Sequence, residues 1–416
     1  SITAQDHKKA AAKTVRFRLD RHEVSSTIPS IHLSGLTGSD GLTAAYSLIL
    51  ADARMDSGQE TIQVPKAVLK GTVDLSARDN ALTAGKIDLQ APGTSLASAA
   101  GKITMRNVSL SGIINRTSRN AMGFNGLLRF GGGRLVPADV ALRIGSISGN
   151  IPLIWPPARH QKKGRFSIAS FHHQTLNLGR IEGEIRQTAA GFDVQGRHIS
   201  ELLPHTSVSF EGSSRLFNSP RPTADFRFNL THPAGTADID LAQFHPAAQG
   251  IKVNGEFQVS GKLMLEDTRL FGSLQSRVAN GKVTLTESKL AIEGINLSFS
   301  MPALPEVRSA PGQQLQFAKL SLGDLTAEKG AIDFQIESPE SVLIEKALFE
   351  WSGGKVDTQA IRISQGIEDY HLIFYCDRLN LAGVLEQFGA AAAEGGGSVS
   401  GRIPIRYTPG KLSFDD

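Results

Sequence analysis

The sequence predicts a mainly β protein: one long, curled antiparallel sheet with one or two short helices. Three observations predict it. Segment after segment alternates apolar and polar residues with a period of two, the pattern of a sheet wetted on one face. Glycine is frequent, 42 of 416 residues, and falls with Asn, Asp and Ser between the alternating segments, where turns belong. Aromatic residues are only 6%, thin for the cores that a row of separate sandwiches needs. At roughly 8–12 residues per strand and turn the chain would hold about 30 strands. An open sheet of more than about 10 strands curls or flattens.

Along the chain, "TAAYSLILADARM" fits a strand or a helix. "GTVDLSA", "GKIDLQA", "GKITMRN", "GEFQVSG" and "GKLMLED" are variations on one unit: Gly, a polar residue, then alternation. A weak helical pattern covers 239–245. "GKVTLTESKLAIEG" sets Val283, Leu285, Leu290 and Ile292 against polar neighbours, and "INLSFSM" does the same with Ile295, Leu297, Phe299 and Met301. "GAIDFQIES" adds Ile332, Phe334 and Ile336. All eleven are expected on an apolar sheet face, which lines either an open groove or an ordinary closed core. "YHLIFYCDR" reads as a strand leading into the best helix, 379–389, where Leu381, Val384, Leu385 and Phe388 fall at helical spacing before Gly389.

One word occurs twice. "GSISGNIP" at 145–152 and "GSVSGRIP" at 397–404 share six of eight residues. Gly145, Gly149 and Pro152 thus correspond to Gly397, Gly401 and Pro404. Each copy is followed by a spacer and G-[RK]-[FL]-S-[IF]. The recurrence predicts two β modules, 1–190 and 191–416, in one continuous elongated sheet. Proline inside the word cannot donate a ladder bond, so each copy is expected at a bend or edge.

The second copy also carries a resemblance. "PESVLIEKALFEWSGGKVDTQAIRI", then "LNLAGVLEQFG", then "GGGSVSGRIPIRYTPGKLSFDD" resembles the C-terminal region of the YdbH family, a branch of the AsmA-like, TamB-related bacterial envelope proteins. Gly353 and Gly354, the predicted helix, and Gly395 to Pro404 carry the match. The resemblance implies an open gutter or taco-like β-groove in the Gram-negative periplasm, lined by the eleven apolar residues above, that moves phospholipid between inner and outer membranes. It also implies an N-terminal membrane helix and terminal membrane contacts outside this sequence. The expected partner is an outer-membrane lipoprotein or other envelope protein. No cofactor is implied.

Other chemistries find little support. Net charge is +4 with no extended basic run beyond "HKKAAAKTVRFR", so no nucleic-acid partner is expected. Cys376 is the only cysteine, which excludes intrachain disulfides and cysteine metal clusters. The repeated word is not a nucleophile elbow, because Ile147 and Val399 occupy the serine position. His172 and His173 adjoin on a strand and point apart, so no metal is expected there. Glu182 and Glu184 share a strand face and could mimic a catalytic pair, but exposed charges explain them better. The chain is expected not to be an enzyme. The remaining alternative is a structural or adhesin-like β-protein, of tandem sandwiches or a solenoid, binding a protein or glycan. No run of about 18 apolar residues is present. The sequence stops inside a strand pattern, as expected of a piece of a longer protein.

Overall fold

A computed structural model describes residues 13–414, apart from 20–21, 39–40, 58–59, 78–80, 100, 119–120, 139–140, 158–160, 175, 218–222, 245–247, 267–268, 388–395 and 409–410. The described strands belong to one sheet, and every strand pairing with a defined register is antiparallel. The chain divides into two compact units: Ser1–Leu202 with Glu211–Ala224, and Leu203–Phe210 with Asp225–Asp416.

The first unit is a meander. Lys13–Leu19 pairs with His22–Gly38, which pairs with Gly41–Asp56, which pairs with Glu60–Ser76. "TAAYSLILADARM" is therefore strand. The next two strands are each broken once. Leu82–Gln90 and Thr94–Ser98 both pair with Glu60–Ser76, and Gly101–Met105 and Asn107–Ser118 both pair with Ala121–Pro137. The breaks face each other, and the Gly93 amide donates to the Arg106 carbonyl at 3.0 Å, so the interruption costs no backbone bond there. Leu142–Trp155, Gly164–His173, Leu176–Gln187 and Phe192–Ile199 complete the run.

In the second unit Ile251–Glu266, Arg269–Leu285, Leu290–Leu304, Gln313–Leu322, Leu325–Ser338 and Ser341–Trp351 follow as neighbours. Gly354–Thr358 and Ile361–Ser364 share the last of these, and Tyr370–Asn380, Ser398–Thr408 and Lys411–Phe414 follow. The α-helix spans Leu381–Gln387, inside the predicted 379–389; Phe388 and Gly389 lie outside the described residues. Its first turn is tied down twice. The Leu381 amide donates to the Gly397 carbonyl at 3.0 Å, and the Gly383 amide donates to Asn380 Oδ1 at 2.9 Å. The weaker helical expectation at 239–245 is corrected to a single 3₁₀ turn, Leu241–Gln243, capped by Asp240, with strand before it.

Core burial is concentrated around the helix. Val356, Leu379 and Ile405 are the largest fully buried side chains. Trp351, Val356, Cys376, Leu379 and Val384 form one buried cluster, and Trp351 Nε1 donates to Gln387 Oε1 at 2.8 Å. Elsewhere the aliphatic residues of the strands are mostly half-buried. The accessible surface is 26025 Å² for 44.5 kDa. Two separate compact globules of half that mass would expose only about 19,000 Å² together. The chain as a whole thus exposes more surface than closed globules would, and the half-buried strand aliphatics show that the apolar sheet face is not fully covered.

Candidate functional site

The uncovered apolar face is the candidate site. Its positions follow from register, because residues directly opposite in an antiparallel pair share a face. In the second unit Met301, Phe299 and Leu297 oppose Leu274, Ser276 and Val278, while Ile292 and Leu290 oppose Val283 and Leu285. Strict alternation would put Ile292 and Leu297 on opposite faces, since they are five residues apart. The structure resolves this with an insertion passed from strand to strand. Val253 and Phe257 are four residues apart, yet their partners Val283 and Val278 are five apart. The next strands also spend five: Ile292 to Leu297, Leu315 to Leu320, Ala327 to Ile332. Ser341–Trp351 returns to four, with Ala347 and Trp351 as partners. Asn280, Gly294 and Lys329 absorb the extra residue in the left-handed region, at φ 48°, 67° and 48°. Side-chain positions agree. A Cβ on Gly281 would lie 2.8 Å from Val278 Cγ1 and 3.1 Å from Ile295 Cβ, so all three point the same way.

The eleven predicted groove residues consequently share one face. Val283, Leu285, Leu290, Ile292, Ile295, Leu297, Phe299 and Met301 lie on two adjacent strands. Ile332, Phe334 and Ile336 lie beyond the Gln313–Leu322 strand, reached through Leu297, Leu315 and Ile332 in one row. Ile295 is buried, 6% exposed, and the other ten are half-buried. Sequence reasoning missed Val278, Leu315, Leu320 and Leu322, which the same insertion brings to this face. The available signals were Asn280-Gly281 and Ala318-Lys319; the latter two are both exposed and interrupt the alternation in the middle of a strand.

Among the described residues of these strands between Ile251 and Trp351, no Asp, Glu, Lys or Arg occupies a position on the apolar face. The charges sit on the other face, in cross-strand pairs: Lys282 with Glu293 at 2.8 Å and Lys329 with Glu350 at 2.8 Å. The hydrogen bond from Lys282 holds the Glu293 carboxyl below its usual range. Ser276 and Gln313 are polar residues on the apolar side, and Gln313 is hydrogen-bonded there. Its Oε1 accepts from the Ser300 amide at 2.8 Å and its Nε2 donates to the Pro311 carbonyl at 3.1 Å.

The first unit repeats the arrangement. Tyr46, Gly71, Ile87, Gly112 and Gly126 form one register row on the apolar side. Phe130, Gly149, Phe166, Gly183 and Gly196 form another. Glu182 and Glu184 lie on the opposite, charged face. Glu182 meets Arg197 and Arg180, and Glu184 meets Lys163 at 2.7 Å and Gln195 at 2.8 Å. These bonds hold both carboxyls below the usual range, so neither stays protonated to serve as a general acid. His172 and His173 pair with different partners, Asn177 and Leu176, and no group of metal-ligating side chains occurs among the described residues.

A family model described as YdbH-like, the intermembrane phospholipid transport protein YdbH, matches residues 8–416. The chain belongs to the YdbH-like family. No curated protein matches it. Membership covers nearly the whole chain, including the first 200 residues, where the repeated word alone carried the resemblance. It implies intermembrane phospholipid transport, with lipid as cargo and the cell envelope as its place, for a family not known for catalysis. No described helix is long and apolar enough to cross a membrane.

In this YdbH-like chain the two copies of the word occupy equivalent sites. Gly149 opposes Phe130 and Pro152 opposes Leu127; Gly401 opposes Cys376 and Pro404 opposes Ile373. The preceding strand carries a left-handed residue two positions after the first partner in both, Gly132 at φ 63° and Arg378 at φ 53°. Gly145 sits beside the left-handed Ser146, and Gly397 accepts the first amide of the helix. On the other side of the first copy the following strand pairs only up to Asn150. Pro152 thus sits where its missing donor deprives no neighbour.

Proposed function

We propose that this YdbH-like protein carries phospholipid acyl chains along its apolar sheet face through the periplasm, between the inner and outer membranes of a Gram-negative envelope. The observation that supports this reading most is the joint pattern of the second unit: inward positions without formal charge, most of them half-exposed. A closed core would bury them, and an ordinary wet surface would carry charge. Moving a lipid tail through water costs about 0.8 kcal/mol per methylene, or about 12 kcal/mol for sixteen carbons. An apolar strip of half-buried Val, Leu, Ile and Phe lowers that cost while the head group stays in solvent. Aliphatic lining suits a cargo that slides, since it offers contact without directional bonds. No side chain need react.

Leu297→Glu and Phe299→Glu test the reading. Each puts a carboxylate against hydrocarbon. About 1.4 kcal/mol already equals a factor of ten, so vesicle-to-vesicle phospholipid transfer should fall about tenfold or more. The thermal melting midpoint should change little, because both positions reach solvent when no lipid is bound. Unfolding instead of a transfer defect would mean these residues fill a closed core.

A further inference from the structure

Seven glycines on the apolar face lie under aromatic rings, six of them from a neighbouring strand: Gly71 under Tyr46, Gly112 under Phe124, Gly149 under Phe130, Gly183 under Phe166, Gly261 under Phe228 and Gly330 under Phe317, while Gly126 lies under Phe124 of its own strand. A Cβ on any of them would meet a ring atom at 2.8 Å or less, closer than any real contact. Such a ring lies down across its neighbour's backbone; it does not stand off the sheet. In the first unit two pairs join in one row. Phe130, Gly149, Phe166 and Gly183 alternate ring and glycine across four adjacent strands. Glycine weakens a strand interior, and a ring laid over it offsets part of that cost. At Gly71, Gly112, Gly126, Gly149 and Gly183 a backbone carbonyl also approaches within 2.8 Å of the added Cβ; at Gly261 and Gly330 the ring alone comes that close.

We propose that these glycines set the height of the transport surface, each allowing an aromatic ring to lie flat so that acyl chains pass over a low floor. The inference rests on the conduit reading given above. A flat ring rests at about 3.5–4.0 Å from the backbone beneath it and presents an apolar π-face. An added methyl takes the ring's place and drives it to another rotamer, standing into the path of the cargo. Phe130, Phe166 and Phe228 are half-exposed and line that path. Phe317 is only 5% exposed, so its pair with Gly330 serves packing.

Gly261 is the cleanest site to test, because Phe228 Cε1 and Cζ lie 2.4 and 2.5 Å from its added Cβ and the nearest backbone atom, the Ser273 carbonyl oxygen, lies at 3.1 Å. The probes are fluorescent phosphatidylethanolamine and its single-chain lyso form, moved by the full chain between vesicles of phosphatidylethanolamine and phosphatidylglycerol. Gly261→Ala should slow the two-chain lipid several-fold and the single-chain lipid less. Adding Phe228→Leu to Gly261→Ala should restore transfer. A folded Gly261→Ala protein with wild-type rates for both lipids overturns this inference alone; an equal loss for both lipids that Phe228→Leu does not rescue overturns it too. A wild-type chain that moves neither lipid overturns the conduit reading and this inference with it. If Gly261→Ala does not fold, Gly112→Ala carries the same measurement with Phe124→Leu as its rescue and the same outcomes, its added Cβ meeting the Phe124 ring at 2.6 Å and the Asn125 carbonyl oxygen at 2.8 Å.

Discussion

Cys376 is 6% exposed, and burial pushes its thiol up to about 11, with Asp357 adding a smaller push. The thiolate is the reactive form, so the native protein should resist alkylation by iodoacetamide at neutral pH and react fully once denatured. Rapid labelling of the native chain would mean that the cluster under the helix opens readily. The surface carboxylates behave in the opposite sense. Arg and Lys partners hold Glu182, Glu184, Glu293 and Glu337 below the ordinary 4.5. A depressed folded value contributes stability above 4.5 that is lost as the pH falls through the folded value. Melting midpoints should therefore hold steady from about pH 8 to about pH 5 and fall only in stronger acid. The effect should be modest, because these pairs are exposed. Residue identity in the sequence was enough to place Glu182 and Glu184 on a solvated face, through their alternation with Ile181 and Ile185.

At the scale of the element, alternation made most strands legible, and Leu297, Phe299 and Met301 needed nothing else. What alternation could not show is how Leu290 and Ile292 come to share their face. That depends on one residue inserted at Asn280 and carried through the neighbours at Gly294 and Lys329, a property of paired strands and not of one. Gly294 is required twice there. Its φ is +67°, and an added Cβ would lie 2.6 Å from that of Ala318. Gly294→Ala should cost about 1–3 kcal/mol in unfolding free energy. An unchanged denaturation midpoint would show that the insertion does not need its left-handed residue. The helix was legible because Leu381, Val384 and Leu385 repeat at helical spacing. Its fastening was not, since Gln387 reaches Trp351 and the Thr326 amide from distant strands. The glycine–ring pairs were equally hidden: Gly183 and Phe166 are 17 residues apart and meet only in register.

For the whole molecule, fold class was the easiest reading, because a two-residue period sustained over so many segments admits little but sheet. The exposed surface adds what the sequence could not: 26025 Å², with the aliphatic residues of the apolar face only half-buried. Family membership implies that phospholipid is the cargo moved between membranes, and acyl chains are the cover proposed above. Purifying the chain from a cell envelope, extracting it with organic solvent and analysing the extract by mass spectrometry tests that assignment most directly. The account predicts phospholipid bound to the wild-type protein and depleted in Leu297→Glu. A folded wild-type protein that carries no lipid would contradict it.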